Sequence, residues 1–366
     1  MNKVVLSGYY GFNNIGDELI LYSIIRTLRE VCPKELSITV LSNQPEKTAK
    51  NYTVDAVSRW SLPSIIKAIA GCELFISGGG SLFQDVTSSK NPLYYLGVLL
   101  IAKLMGKKTM VYAQGIGPLR GKMNRLFTSL LLNTVDLVTV RDDGSREALT
   151  EIGVKKEIIV TSDPVLGLPA DIVDKKAGAE ILKRCCQVQR SEENPLLGVF
   201  IRSWGDDSFL PELVKTCDLL ASKGWKVVFV PMHFPIDISV AKEALKMMRQ
   251  EGYLLKEMYS PLEMLSVTKN FDLIIGMRLH ALINGVVAGV PMVGISYDPK
   301  VDRFLEQMGQ HSFNSAENLR SETVFELISC VDKNREDTQK IIQERANLLY
   351  QKSWQTARLA ADLLKR

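Results

Sequence analysis

The apolar positions of this chain fall into two alternating rhythms. Short β-branched runs at 4–6, 38–41, 74–77, 109–113 and 137–140 are separated by stretches whose apolar residues recur with helical period. That alternation predicts a parallel sheet covered by helices on both faces. The rhythm stops near Gly167-Leu168-Pro169, and a charged, helical-looking stretch leads to Asn194-Pro195, which marks an inter-domain region. Beyond it, strands are expected at 197–201, 226–231, 273–275 and 292–295, with helices near 209–222, 237–250, 261–268 and 279–288. This is a second doubly wound unit. From Asn334 to Arg366 the pattern is one or two amphipathic helices, whose stripe includes Ile342, Leu349, Trp354 and Leu363. Such a stripe must be buried, with the first domain a candidate surface. The expected fold class is α/β, two Rossmann-like doubly wound domains facing a cleft: residues 1–170, residues 171–333, and C-terminal helices over 334–366.

Open α/β sheets bind ligands beyond the carboxyl ends of their strands, so residues just after strands carry the chemistry. Three strand exits in the first domain are glycine-rich: GYYGFNNIGDELIL at 8–21, SGGGSLFQD at 77–85 and AQGIGPL at 113–119. Such loops, Gly79 and Gly80 among them, predict backbone amides close to a ligand, with tight turns of the sheet as the plainer alternative. The first loop is no dinucleotide cradle. Its glycines at 8, 11 and 16 lack the G-x-G-x-x-G spacing, and Leu41-Ser42-Asn43 after the second strand offers no acid for a ribose. Asp17 and Glu18 open the following helix, where they either favour its positive end or serve sugar hydroxyls and proton transfer.

In the second domain the densest signal is GMRLHALINGVVAGVP at 276–291, which brings Arg278 and His280 to a strand–helix junction. Of the three histidines, His280 is the better acid–base candidate than His233 or His311. SYDPKVDRF at 296–304 delivers Lys300, while Arg141 in TVRDDGSRE and Arg202 in FIRSW also stand at strand ends. Converging cations of this kind imply a ligand with carboxylate or phosphate groups. No H-x-H, H-E-x-x-H or D-x-D pattern is present, so the expected mechanism uses no metal.

Composition narrows the classes further. A chain of 366 residues suits two domains, and 46% apolar with 23% charged residues is a globular balance without repeats or low complexity. The net charge of +4 is dispersed, with no basic tract of the kind that tracks a nucleic acid. Six cysteines without C-x-x-C spacing point to reduced thiols and a cytoplasmic location. The chain enters its first strand at once, so no secretion signal is expected. The most lipid-like stretch, 93–105, is interrupted by Lys103 and falls short of the roughly 20 residues that span a bilayer, so any membrane association is peripheral.

Six ordered motifs, GYYGFNNIGDE, SGGGSLFQD, GIGPL, SDPVL, MRLHALI and SYDPKV, together resemble the bacterial polysaccharide pyruvyltransferase family, especially its CsaB type, over residues 3–304. The resemblance implies a GT-B-like fold and phosphoenolpyruvate as co-substrate, with no further cofactor. The product it implies is a 4,6-ketal of pyruvate on N-acetylmannosamine, in a lipid-linked precursor of the secondary cell-wall polymer that anchors S-layer proteins. A lipid-linked amino-sugar acceptor implies peripheral contact with the inner face of the cell membrane. Carried over by motif, Arg141 and Lys300 hold the donor's carboxylate and phosphate, His280 lies beside the donor, and Asp17 and Glu18 lie on the acceptor side or at its reacting hydroxyls, which makes these last three the catalytic candidates. Asn14 lies on the acceptor side, and Arg278, Leu279, Gly79, Gly80 and Arg202 complete the substrate-binding set.

The rival reading is a GT-B glycosyltransferase using a nucleotide sugar, because the helix ending in Gly289-Val290-Pro291 resembles that fold's E-A-x-x-x-G-x-P donor segment. In that alignment the acid that holds the donor ribose falls on Asn284, an amide. A third reading is a non-catalytic sugar or anion sensor on the same lobes.

Overall fold

A computed structural model describes residues 2–365 apart from 33–34, 86–90, 192 and 314–315. The chain forms two compact units, Met1–Gly167 with Leu349–Arg366, and Leu168–Leu348.

The first unit runs β1 (Asn2–Ser7), α1 (Ile15–Val31), β2 (Leu36–Ser42), α2 (Pro45–Tyr52), β3 (Asp55–Ser58), α3 (Leu62–Ala70), β4 (Leu74–Ser77), β5 (Gly80–Phe83), α4 (Asn91–Leu104), β6 (Lys108–Ile116), α5 (Lys122–Leu132), β7 (Leu137–Val140), α6 (Asp143–Glu151) and β8 (Ile158–Val160). Seven strands pair in the order β3-β2-β1-β4-β6-β7-β8, all parallel, and β5 joins the far end of β6. The chain winds outward from β1 through β2 to β3, then returns to β4 on the other side. The topological switch therefore lies between β1 and β4, where Ser7 faces Ser77. The register of β6 against β7 slips between Val111 and Gln114, at Ala113, whose φ of 44° is positive for a non-glycine residue. Thr139 holds that bulge: its Oγ1 accepts from the Ala113 amide at 2.7 Å and donates to the Val111 carbonyl at 2.9 Å. A bulge re-aims the strand beyond it, and here Gln114 and Gly115 follow.

The second unit runs α7 (Lys175–Cys186), β9 (Leu196–Phe200), α8 (Leu210–Ala221), β10 (Lys226–Phe229), α9 (Ile236–Met247), β11 (Gly252–Leu254), α10 (Pro261–Thr268), β12 (Leu273–Gly276), α11 (Leu279–Ala288), β13 (Met292–Ile295), α12 (Pro299–Met308), β14 (His311–Phe313), α13 (Ser321–Lys333) and the start of α14 (Arg335–Lys365). Its six parallel strands pair as β11-β10-β9-β12-β13-β14, with the switch between β9 and β12, where Phe200 faces Gly276. Two parallel sheets of Rossmann-like order match the expected fold class.

The interior strands are apolar on both faces: Leu196, Leu197, Val199 and Phe200 of β9, for example, are all fully enclosed. The C-terminal pattern forms one continuous helix, α14, after a separate α13. Within the first unit its last turns are fixed by polar contacts as well as apolar ones. Ser162 Oγ donates to the Leu349 carbonyl at 2.6 Å, and Trp354 Nε1 donates to that of Gly167 at 3.1 Å.

Candidate functional site

At the switch of the first unit, the opening glycines make room for a tyrosine. Tyr10 is fully buried, and a Cβ on Gly8 would stand 2.3 Å from its ring, while one on Gly78 would stand 2.1 Å from its hydroxyl. Real Cβ atoms do not approach so closely, so both strand exits must be glycine for the ring to lie across β1 and β4. Among the described residues, the Tyr10 hydroxyl, Ser7 Oγ and Ser77 Oγ have no hydrogen-bond partner. Burial foremost, and then the charges of Asp17 and Glu18, hold the Tyr10 phenol neutral well above the ordinary tyrosine range.

The two acids of the loop have different surroundings. Glu18 Oε1 accepts from the Gly11 amide at 2.7 Å, and its Oε2 accepts from the Tyr52 hydroxyl at 2.6 Å. Burial raises the Glu18 carboxyl above its usual range, against the opposing pull of those two bonds and of Lys47. Its carboxylate ties the glycine turn to α2. Asp17 is half-buried, and its Oδ1 lies 3.1 Å from where a Cβ on Gly80 would be. Gly80 has φ +99°, so both space and backbone demand glycine there. Asn14 caps α1, its Oδ1 accepting from the Gly16 amide at 3.2 Å. Gly79 packs against Ile20 and Pro164.

Arg141, at the exit of β7, is buried beside β5. Its Nη1 lies 3.1 Å from Asp163 Oδ2, its Nε 3.6 Å from Asp142 Oδ2, and its Nη2 donates to Ser81 Oγ at 3.2 Å. The guanidinium covers Gly115, where a Cβ would clash at 2.5 Å. Asp163 of the SDPVL motif, itself buried, thus sets the fork in place with its charge balanced. Asp17, Gly80 and Arg141 therefore gather around β5, while Asn14 and Glu18 belong to the packing of the opening loop.

One residue of this unit carried no signal in the spacing. Arg59, just after β3, is 4% exposed and donates from Nη1 to the Gly8 carbonyl at 2.9 Å. Its guanidinium lies 4.2 Å from the ring centre of Tyr94 and between 5.0 and 5.3 Å from those of Phe12, Trp60 and Tyr95. No carboxylate pairs with it among the described residues. Aromatic faces stand in for a counter-ion here, each contributing about 0.5–2 kcal/mol. Trp60 is its neighbour in sequence, but Gly8, Phe12, Tyr94 and Tyr95 meet it only through the fold.

The second unit presents its cations at the exits of three adjacent strands. Arg202 follows β9, with Nη1 3.3 Å from the Tyr297 hydroxyl and the guanidinium 5.7 Å and 5.2 Å from the rings of Trp204 and Tyr297. Tyr297 itself follows β13, so the pair bridges two exits. Arg278 follows β12 as the residue preceding α11, and it forms a two-pronged pair with Asp237, Nε–Oδ2 2.7 Å and Nη2–Oδ1 2.5 Å. Asp237, 1% exposed, also accepts from the amides of Met232 and His233. The pair pins the β10–α9 loop to the β12–α11 junction. Leu279 is buried, and His280 is half-buried in the first turn of α11. Lys300 enters α12 with Nζ 2.8 Å from Asp298 Oδ2, and Asp298 caps the same helix. Asn284 is wholly enclosed within α11, and neither atom of its amide has a partner among the described residues.

Among the described residues no three His, Cys, Asp or Glu side chains gather in a way that could hold a metal ion, and no helix is long and apolar enough to cross a membrane.

Solved structures share the architecture of the whole chain. The Anabaena protein HepE in complex with UDP-glucose aligns with a TM-score of 0.69 at 12% identity, covering 99% of this chain and 98% of its own. The UDP-GlcNAc 2-epimerase of Neisseria meningitidis bound to UDP-GlcNAc aligns at 0.66 and 12% identity, with 100% of both chains covered. The E. coli ADP-heptose lps heptosyltransferase II aligns at 0.54 and 14% identity, covering 92% of this chain and 100% of its own. At such identities the likeness concerns the fold. Among curated proteins, none matches the chain in sequence. The profile of polysaccharide pyruvyl transferases, by contrast, matches residues 14–299, a span that runs from the start of α1 to the start of α12 and takes in the switch of the second unit, and the chain belongs to that family.

Proposed function

We propose that this transferase moves pyruvate from phosphoenolpyruvate onto two hydroxyls of an acceptor sugar, forming a 4,6-ketal and releasing phosphate. The acceptor we assign is N-acetylmannosamine in a lipid-linked precursor of a secondary cell-wall polymer, met at the inner face of the cell membrane. The observation that carries the reading is the basic set at the carboxyl ends of β9, β12 and β13, Arg202, Arg278 and the following Lys300, with His280 in the same junction. An anionic donor suits that set, and the matching family transfers pyruvyl groups.

The chemistry needs a proton delivered to the donor's methylene carbon, which becomes a methyl group and leaves C2 cation-like. One acceptor hydroxyl bonds to C2 as it gives up its proton, the C2–O bond to phosphate breaks, and the second hydroxyl closes the ketal. Donor plus diol become ketal plus phosphate, with no other reactant. His280 supplies acid–base exchange, and Asp17 takes protons from hydroxyls. Arg141 and Lys300 hold the donor's carboxylate and phosphate, each set in place by its own aspartate, Asp163 and Asp298. Glu18 and Asn14 shape the loop that carries Asp17.

The rival, nucleotide-sugar transfer, rests on fold likeness. Asn284, aligned with the ribose-binding acid of that fold, is sealed inside the second unit, which speaks against it. The test is the purified chain with phosphoenolpyruvate and an N-acetylmannosamine-containing acceptor, read as phosphate release and a product mass gain of about 70 Da. Absence of both overturns the reading, and nucleotide release from a UDP-sugar installs the rival.

A further inference from the structure

Helices on the surface of a soluble domain turn charged residues outward. Three neighbouring helices of the first unit do the reverse. On α4, Leu93, Gly97, Leu100 and Leu104 form an outward row at helical spacing, with Leu104 79% exposed. On α5, packed beside it, Met123, Leu126, Phe127 and Leu130 form a second such row. On α3, packed on the other side of α4, Leu62 and Ile66 face out, and Trp60 just before the helix is 66% exposed. Eleven of the seventeen large hydrophobic side chains exposed among the described residues fall between Trp60 and Leu130. A concentration of this kind marks an interaction surface.

Charge says which partner fits. None of the three helices contains an aspartate or glutamate. Lys103 is answered by Asp136 and Arg125 by Glu151, but the exposed Lys67, Arg120 and Lys122 have no ion-pair partner among the described residues. An apolar face rimmed by uncompensated cations, with a tryptophan at its edge, complements an anionic surface with an apolar interior.

We infer that the α3–α4–α5 face is a peripheral docking surface for an anionic lipid bilayer, its leucines and Phe127 entering the headgroup boundary and its lysines meeting acidic headgroups. Its use rests on the lipid-linked acceptor proposed above; the binding itself does not.

The test is co-sedimentation of the full chain with acceptor-free vesicles of phosphatidylcholine, with and without about one third phosphatidylglycerol. The expected result is binding to the anionic vesicles, weakened by salt. Leu100→Glu with Leu104→Glu should lose it by about a hundredfold or more, with unchanged circular dichroism, since both side chains are exposed. Lys67→Ala with Lys122→Ala should weaken it about 25-fold on anionic vesicles and leave neutral ones unaffected. A parent chain that stays in the supernatant, or variants that bind as the parent does, overturns the inference. So does a dimer in sedimentation velocity that the leucine variant dissociates, because the face then serves a second copy. Failure here leaves phosphate release in solution unaffected, and failure of pyruvyl transfer leaves vesicle binding unaffected.

Discussion

Replacing Tyr10 by phenylalanine tests whether the switch-point slot is built for a ring or for a hydroxyl. The ring keeps its place, because the slot is formed by the bare backbones of Gly8 and Gly78. What leaves is a buried oxygen with no hydrogen-bond partner among the described residues. An unsatisfied buried hydroxyl costs about 1–3 kcal/mol in proteins, and the phenylalanine variant recovers that amount. Because the chain has two units, one melting temperature would mix two transitions, and native-state hydrogen exchange reads the first unit separately. Amides of β1 and β4 should exchange about fivefold to 150-fold more slowly in Tyr10→Phe, the equivalent of that free energy. Tyr10→Ala, which empties the slot, should accelerate them through a cost of about 3–5 kcal/mol. Unchanged or faster exchange in Tyr10→Phe refutes the reasoning, since the hydroxyl then holds a partner in solution.

The same tyrosines set an alkaline limit. Burial raises Tyr10, Tyr52 and Tyr112 well above the ordinary range, so their contribution to stability is complete below about pH 10 and lost as pH rises toward their folded values. Urea midpoints measured from pH 8 to 11 should hold to about pH 10 and fall above it, less steeply in Tyr10→Phe. Asp237→Ala strands the Arg278 guanidinium, a loss of about 3–5 kcal/mol seen as a lower urea midpoint of the second unit. Replacing both by apolar residues should restore most of it. His280→Ala should lower kcat for phosphate release by about 10²–10⁴, and Asp17→Asn by a similar factor, whereas Glu18→Gln keeps most turnover because an amide oxygen still accepts from Gly11. Lys300→Ala should raise the KM for phosphoenolpyruvate more than it lowers kcat.

Interior strands were legible because they are buried on both faces and read as unbroken apolar runs, as in β4 and β9. The short strands β3, β8, β11 and β14, each at a sheet edge, have only three or four residues; β3, β11 and β14 mix polar with apolar positions, and β8, though apolar, is three residues long. β5 escaped for another reason: it begins at a positive-φ glycine, Gly80, within a loop that reads as a turn. The glycine-rich exits were recognisable as close approaches, but what approaches Gly8, Gly78 and Gly115 is Tyr10 and Arg141 of the chain itself.

The sequence by itself determined the alternation of strands and helices, the fold class that follows from it, and the placing of Arg141, Arg202, Arg278 and Lys300 at strand exits, because each depends on local period and neighbouring residues. Only the tertiary structure decided what each charge faces. Arg141 meets Asp163 from the next strand exit, Arg278 meets Asp237 from across the switch, and Arg59 meets four aromatic rings in place of an acid. Apart from Arg59 and its neighbour Trp60, such pairings join residues tens of positions apart, and Coulomb energy depends on distance in space, which no spacing along the chain records.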